Sequence, residues 1–314
     1  MVNIKTYRLL LFLAFCAIFA QQAKGQDYPW SLQYVTNMQT INPAYVGIWD
    51  KAGLMVSTKT NWLGIGGAPL SQYASYFTPI KEQRSGVALN IQRLTVGREK
   101  RLFFTGDYSY RVRLDFKNYL QMGLRAGIVN YDNDLKNYQP YPDYVPDPYT
   151  IADVSLRNMT VFGIGAVVFS EDYYVSLSAP QVISNTFNAD MTNFSSSQNF
   201  TTIYLSGGYV FGQPGRVRFR PNLLVAATIG KPAYFDVAGL VYLPAALHFG
   251  FNFRSTGSVC LFGQYTINDR IKVGYALDYS VTSDIRKFQL GTHEIMVGYD
   301  FNIYKRKYAK PTYF

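Results

Sequence analysis

The stretch RLFFTGDYSYRVRLDF, residues 101–116, alternates between apolar and polar side chains over most of its length. The apolar parity carries Leu102, Phe104, Tyr108, Tyr110, Val112 and Leu114. The polar parity carries Thr105, Asp107, Ser109, Arg111, Arg113 and Asp115. Because successive side chains of a strand point to opposite faces, this period of two predicts a strand with one apolar and one polar face. Its length exceeds the roughly 5–6 residues of soluble strands and satisfies the roughly 9–11 that cross a membrane.

The composition supports a membrane barrel over a soluble enzyme. Aromatic residues make up 17% of the 314 residues and charged residues only 16%, with 27 Tyr and 22 Phe. Bacterial outer-membrane barrels carry aromatic girdles at both membrane interfaces, which this composition suits. The formal net charge is +10, but Lys and Arg are scattered through strands and turns and form no cluster on a helix. We therefore expect no nucleic-acid partner.

Residues 1–25 have the pattern of a signal peptide. Lys5 and Arg8 precede an apolar run, residues 9–20, that is too short to span a membrane as a helix. Small residues follow, and we predict cleavage before Gln26. The mature chain is therefore expected to be exported and to lie in the outer membrane.

The remaining chain divides into three parts. Residues 26–52 show no clean period and are predicted to be a periplasmic lead-in or plug segment, 53–304 a β-barrel, and 305–314 a periplasmic tail. The barrel is all-β, with about fourteen antiparallel strands, an even number as bacterial barrels require. The predicted strands are 53–62, 70–78, 86–94, 101–114, 118–130, 158–169, 172–180, 200–211, 216–229, 232–242, 245–254, 258–266, 270–281 and 290–303.

The predicted loop lengths fit this count. The long connections 131–157, 181–199 and 281–290 all fall on one side of the membrane, whereas connections such as 212–216 on the other side are short. Long outer loops with short periplasmic turns are the usual asymmetry of these barrels. The exception that we note is 230–232, a short turn on the outer side.

The polar side chains offer little for catalysis. The chain has two histidines. His293 is followed by Glu294, but neighbours on a strand point to opposite faces and so cannot form a catalytic pair. The chain has too few residues of the types that bind zinc to form a zinc site. We expect no enzymatic activity and no cofactor.

Several stretches resemble, in order and spacing, the motifs of the PorP/SprF family of type IX secretion system outer-membrane proteins of Bacteroidetes. The similarity covers essentially the whole mature chain, with Thr292 where the closing motif of the family has Ser. The stretches are QDYPWSLQY (26–34), INPAYVG (41–47), TNWLGIGGAPLSQYASYFTPI (60–80), DYYVSLSAPQVI (172–183), VGYALDYSVTSD (273–284) and GTHEIMVGYDF (291–301).

The resemblance implies a fourteen-stranded barrel that takes part in the export or surface attachment of proteins with a C-terminal sorting domain, and in gliding motility in some relatives. It implies as partners the outer-membrane lipid, periplasmic secretion-ring or peptidoglycan-binding proteins, and the secreted substrate. A barrel of this size is too narrow to pass a folded domain. We therefore expect an accessory or docking barrel; the alternative is a porin or hydrophobic-solute channel with residues 27–50 as its plug.

The matched motifs also supply candidate partner-binding residues. Three of them lie in the lead-in, one in the first loop and two near the end of the chain. The candidates are Asn42, Pro43, Tyr45, Trp62, His293 and Glu294.

Overall fold

A computed structural model describes most of the barrel and part of the lead-in. The described residues are 31–49, 51–80, 84–134, 153–183, 201–213, 215–228, 231–282 and 287–301. The predicted signal peptide, its cleavage site and the tail 305–314 lie outside them. Within these ranges no helix combines the length and the apolar character that crossing a bilayer would demand.

The described chain forms a closed ring of fourteen antiparallel strands, in which the first strand pairs with the last. The strands are β1 (Ala52–Thr60), β2 (Leu70–Ile80), β3 (Ser85–Val96), β4 (Glu99–Arg113), β5 (Tyr119–Asn133), β6 (Val154–Phe169), β7 (Tyr173–Ile183), β8 (Thr202–Tyr209), β9 (Arg218–Thr228), β10 (Tyr234–Tyr242), β11 (Leu247–Arg254), β12 (Ser258–Ile267), β13 (Ile271–Ser280) and β14 (Thr292–Phe301). Each predicted segment overlaps one of these strands, so the predicted fold class and strand number are confirmed.

The barrel is apolar outside and polar inside. On β4, Tyr108 and Tyr110 are both 42% exposed, whereas Asp107 is 4% exposed and Ser109 is fully buried. A soluble sheet has the opposite arrangement, with its apolar face in the core. Closure leaves no sheet edge, which matters because each unpaired backbone amide or carbonyl costs several kcal/mol in hydrocarbon. The apolar parity of residues 101–116 is thus the lipid-facing side.

The two rims of the barrel differ. β1 begins and β14 ends at the same rim, where Ala52 pairs with Phe301. The strand ends joined by the long connections 134–153, 184–201 and 281–291 lie at the opposite rim, so we call that rim outer and the rim where β1 begins and β14 ends periplasmic. The prediction of a single short outer turn was wrong. Connections 97–98 and 255–257 are short hairpin turns on the outer side as well.

Strand β6 begins four residues earlier than the predicted 158–169. Its register against β5 shifts between Val129 and Tyr131, and Asn158 adopts a φ of 55° there. The backbone N–H of Asn158 donates to Asn130 Oδ1 at 2.8 Å. Such a bulge breaks the period of two, which is why the alternation appeared to begin after it.

Residues 31–49, which we call the plug, lie inside the barrel. They contain two short 3₁₀ helices, Met38–Thr40 and Pro43–Tyr45. Most apolar side chains of the plug form one buried cluster with inward-facing residues of β6 to β10, β12 and β13, and Val46 and Trp49 belong to a second cluster with residues of β1 to β3 and β14. The plug members of the cluster are Leu32, Tyr34, Val35, Met38, Ile41, Ala44, Tyr45 and Ile48.

Candidate functional site

The plug runs through the lumen from its outer half to the periplasmic rim. Leu32 lines a cavity at the outer rim together with Lys59 and Trp62. Trp49, at the other end of the plug, lies at the periplasmic rim against Phe77, with 5.2 Å between ring centroids. The next residues enter β1 at that rim. The plug therefore extends through the interior from one rim to the other.

Three arginines on the barrel wall hold the backbone of the plug. Arg220 Nη2 donates to the carbonyl of Val35 at 2.6 Å, and Arg125 Nη2 donates to that of Gln39 at 3.1 Å. Arg111 Nη2 donates to the carbonyls of Gly47 and Ile48 at 3.1 and 3.2 Å. Because hydrogen bonds from charged donors are roughly twice as strong as neutral ones, these contacts tie the plug to three separate strands.

A polar network surrounds Gln39 in the middle of the plug. Its Nε2 donates to Ser75 Oγ at 2.5 Å. Nearby, Asp107 accepts two hydrogen bonds from Arg125, at 2.6 and 2.8 Å, and one from Asn90 Nδ2 at 3.0 Å. Both members of the ion pair are about 5% exposed or less. Asp107 therefore compensates the charge of Arg125 within the barrel, while Arg125 also binds the plug.

Two glycines on the wall allow the plug to approach the strands closely. A Cβ on Gly123 of β5 would overlap the backbone of Pro43 and Ala44. A Cβ on Gly165 of β6 would overlap the side chain of Asn42. Glycine at these two positions thus lets the backbone of the plug and the Asn42 side chain lie against the strands, a close approach that glycines inside strands often permit.

The three lead-in candidates lie inside the lumen. Asn42 caps the second 3₁₀ helix by accepting from Ala44 N at 2.8 Å, and its Nδ2 donates to the carbonyl of Ala166 at 3.2 Å. Pro43 is the first residue of that helix, and Tyr45 packs edge-on against Tyr174, with 6.3 Å between centroids. All three are buried and secure the plug to the wall. Their contact with a partner protein stays a prediction.

Glu294 lies inside the barrel and binds the start of the plug. Its carboxylate accepts from Ser31 Oγ at 2.6 Å and from the backbone N–H of Leu32. Glu294 is 1% exposed and stands directly opposite Lys59, itself 4% exposed, in the β1–β14 register. The motif residue therefore anchors the outer end of the plug.

His293 and Trp62 are at the outer rim. His293 faces outward: its Nε2 lies 3.2 Å from the carbonyl of Leu290, and its Nδ1 lies 2.7 Å from the hydroxyl of Tyr275. Since a carbonyl only accepts, Nε2 donates to Leu290 and the hydroxyl of Tyr275 donates to Nδ1. The backbone N–H of Trp62 donates to Thr292 Oγ1 at 3.4 Å. His293 and Glu294 thus lie on opposite sides of the wall, as the strand pattern predicted.

The sequence reasoning did not single out the arginines that hold the plug. Arg111 lies on the polar parity of β4, and the same parity rule applied to β5 and β9 would have placed Arg125 and Arg220 in the lumen. Their partners could not be inferred, because the plug has no period that shows which of its carbonyls face the wall.

A closed barrel with a lipid-facing apolar exterior and a polar interior defines an integral outer-membrane β-barrel protein. A family model described as "Type IX secretion system membrane protein PorP/SprF" matches residues 23–299. The chain belongs to this family and is a membrane component of the type IX secretion system, in the outer membrane.

Comparison with solved structures finds other barrels. The chain is similar to Omp33 of Acinetobacter baumannii, with a TM-score of 0.46, 8% identity, and coverage of 80% of this chain and 98% of that chain. It is similar to a FadL homologue of Pseudomonas aeruginosa, with a TM-score of 0.47, 13% identity, and coverage of 89% and 96%. It is also similar to the KdgM porin, with a TM-score of 0.40, 8% identity, and coverage of 79% and 99%. A comparison with curated proteins returned no match.

Proposed function

We propose that this protein is an accessory or docking barrel of the type IX system, which helps to export or surface-attach proteins that carry a C-terminal sorting domain. In organisms that glide, the same role would extend to gliding motility. Its partners in this proposal are periplasmic secretion-ring or peptidoglycan-binding proteins on one side and the secreted substrate on the other. The single observation that carries the proposal is the buried, multiply anchored plug.

The plug argues against transport through the lumen. Gln33, Gln39, Asn42 and Tyr45 are fully buried in the interior. A channel has to offer a continuous passage, and here the middle of the lumen is filled by side chains and bound backbone. A barrel closed in this way still offers two rims and two sets of connections, which suit binding to neighbouring proteins.

The histidines also fit a role without catalysis. His248 packs edge-on against Tyr242, with 4.8 Å between ring centroids. His293 is engaged with Tyr275 and the carbonyl of Leu290 at the outer wall.

Two measurements test the proposal together. Deletion of the gene should abolish surface display of sorting-domain proteins while leaving the uptake of small solutes unchanged, and the wild-type gene supplied in trans should restore display. The purified full-length protein should give no steady ion conductance in planar bilayers. Steady conductance, combined with normal display in the deletion strain, would favour the porin or hydrophobic-solute channel instead.

The processing and ends of the chain are part of the proposal. We propose that residues 1–25 are removed as a signal peptide and that 305–314 form a periplasmic tail. N-terminal sequencing of the protein from purified outer membranes should begin at Gln26. A protease cleavage site added at the C-terminus should be cut by external protease only after the outer membrane is permeabilised.

A further inference from the structure

The periplasmic rim contains an open recess between the plug and the wall, which we call the periplasmic recess. Its lining includes Asn37 and Trp49 of the plug and Tyr242, His248, Gln264 and Lys272 of the wall. The wall residues lie at the ends of β10 to β13 at the rim where β1 begins and β14 ends. The recess is therefore on the side of the barrel that faces periplasmic proteins.

Polar atoms in this recess have no hydrogen-bond partner among the described residues. They are the donors Asn37 Nδ2 and Trp49 Nε1 and the acceptor Gln264 Oε1. Asn37 is 3% exposed and Gln264 is 7% exposed. A buried polar group without a partner is destabilising, because the loss of its hydrogen bonds to water is not compensated. A ligand that brings acceptor oxygens to the two donors and an N–H group to Gln264 would recover this cost.

The surroundings of the recess are positively charged. Lys272 and Lys51 share the single carboxylate of Asp300, at 2.9 and 3.7 Å. Arg218 lies over the ring of Tyr242 at 5.1 Å, and its Nη1 has no partner among the described residues. Among the described residues that line the recess, Lys272 is the Lys or Arg residue and Asp300 is the acid, and Lys51 and Arg218 lie beside it. The excess of cations over carboxylates favours a negatively charged ligand.

The tail of the chain is an unsuitable occupant on charge grounds. It follows β14 at the same rim and carries four cationic residues, Lys305, Arg306, Lys307 and Lys310. Like charges would repel the tail from the recess. A separate chain with acidic residues would be attracted to the cations around the recess and to those of the tail.

We propose that the periplasmic recess is the docking site for an acidic peptide segment of a periplasmic partner protein. A Glu or Asp side chain enters the recess, its carboxylate accepts from Asn37 and Trp49, and a backbone N–H of the segment donates to Gln264. Lys272, Lys51 and Arg218 supply the surrounding charge. This inference rests on the proposed docking function and names the face and the partner chemistry for it.

Binding to the purified full-length protein in detergent tests the chemistry. The probe is a fluorescein-labelled glutamate decamer, and its binding is measured by fluorescence anisotropy. A lysine decamer, which has the opposite charge, serves as the comparison and should not bind. The double variant Lys51→Glu and Lys272→Glu should weaken binding of the glutamate decamer by about tenfold or more. The matched control, Arg98→Glu with Lys100→Glu at the outer hairpin, should leave it unchanged. Equal losses in both double variants would overturn the proposal.

The substitution Trp49→Phe separates binding from folding. It keeps a ring beside Phe77 but removes an N–H that has no partner in the free protein. We expect the unfolding midpoint in urea to change little and the affinity for the glutamate decamer to fall by roughly tenfold or more, as for loss of one hydrogen bond to a charged group. Unchanged affinity would remove Trp49 from the site and contradict the proposed geometry.

Cross-linking in intact cells identifies the natural occupant. A photoreactive amino acid at Thr266, which lines the recess, should cross-link to a periplasmic protein, and mass spectrometry should place the cross-link in an acidic segment. The Lys51→Glu and Lys272→Glu background should abolish this product. Cross-linking to a neutral or basic segment, to the tail of the same chain or to peptidoglycan would overturn the proposal. Normal display in this background, while the gene deletion still abolishes display, would reject the recess but leave the docking function intact.

Discussion

At the residue scale, single side chains determine how closely the plug meets the wall. Gly123 leaves the space that the backbone of Ala44 occupies, and Gly165 leaves the space for Asn42. Protein interiors are packed densely enough that one added methyl group is felt. The absence of a side chain at these two positions is therefore part of how the plug is held.

The substitution Gly123→Ala should displace the plug or strain β5. We expect a loss of about 1–3 kcal/mol in the free energy of unfolding, because the added methyl overlaps backbone that cannot easily move. The same change at Gly106 on β4, where a Cβ would meet neighbouring atoms only at 3.9 Å, should stay within about 0.5 kcal/mol. Urea titrations followed by tryptophan fluorescence in detergent provide the comparison; equal effects at both positions would contradict the fit.

The ion pair between Asp107 and Arg125 links the wall to the plug. Asp107→Asn should cost roughly 3–5 kcal/mol, because it leaves the buried guanidinium, only 5% exposed, without its countercharge. The matched control is Asp132→Asn, whose partner Arg157 is 59% exposed and whose own side chain is 40% exposed. That change should cost less than about 1 kcal/mol. The same urea titration measures both, and a larger loss for Asp132→Asn would overturn this assignment.

At the scale of elements, the plug has little secondary structure of its own. Its two 3₁₀ helices have three residues each, and the remainder is turn or irregular chain. Its carbonyls are satisfied by arginines of the wall, and most of its apolar side chains pack on β6 to β10, β12 and β13. The barrel wall is thus the scaffold and the plug is a bound element, since the β1–β14 ladder closes the ring without it.

Removing the plug should therefore open the barrel without destroying it. We expect a variant in which residues 32–48 are replaced by a short Gly/Ser linker to insert into planar bilayers and show steady conductance, unlike the wild-type protein. It should also unfold at lower urea concentration, because the buried apolar cluster is lost. A control variant with a linker of the same composition inserted at the outer turn 97–98 should stay closed. A silent plug-deleted barrel would mean that other parts of the chain block the lumen.

At the scale of the whole molecule, the closed ladder predicts resistance to detergent. Every strand of the described barrel has two hydrogen-bonded neighbours. The sheet therefore has no exposed edge at which dodecyl sulfate could begin to separate the strands. The chain should migrate faster on a gel without heating and at its full mass of 35.6 kDa, less any removed signal peptide, after boiling. It should also remain in membranes washed with alkaline carbonate. Migration that is independent of heating, with release by carbonate, would contradict an integral barrel.

The amino-acid sequence alone determined the number of strands, the lipid-facing parity and the opposite orientations of His293 and Glu294. Each of these depends on a period of two that a strand imposes locally, so neighbouring residues suffice to show it. Boundaries were less accurate where the period is interrupted, as at the bulge beside Asn158. The order of motifs also indicated the family that the family model then matched.

Only the tertiary structure decided how the interior is filled. The plug has no periodicity, and its contacts join residues far apart in the chain, such as Ser31 with Glu294 and Arg220 with Val35. No local pattern encodes which arginine meets which carbonyl, because that depends on ring closure and on the height at which each strand presents its side chain. The periplasmic recess exists for the same reason: its donors come from the plug and its cations from strands that meet only when the barrel closes.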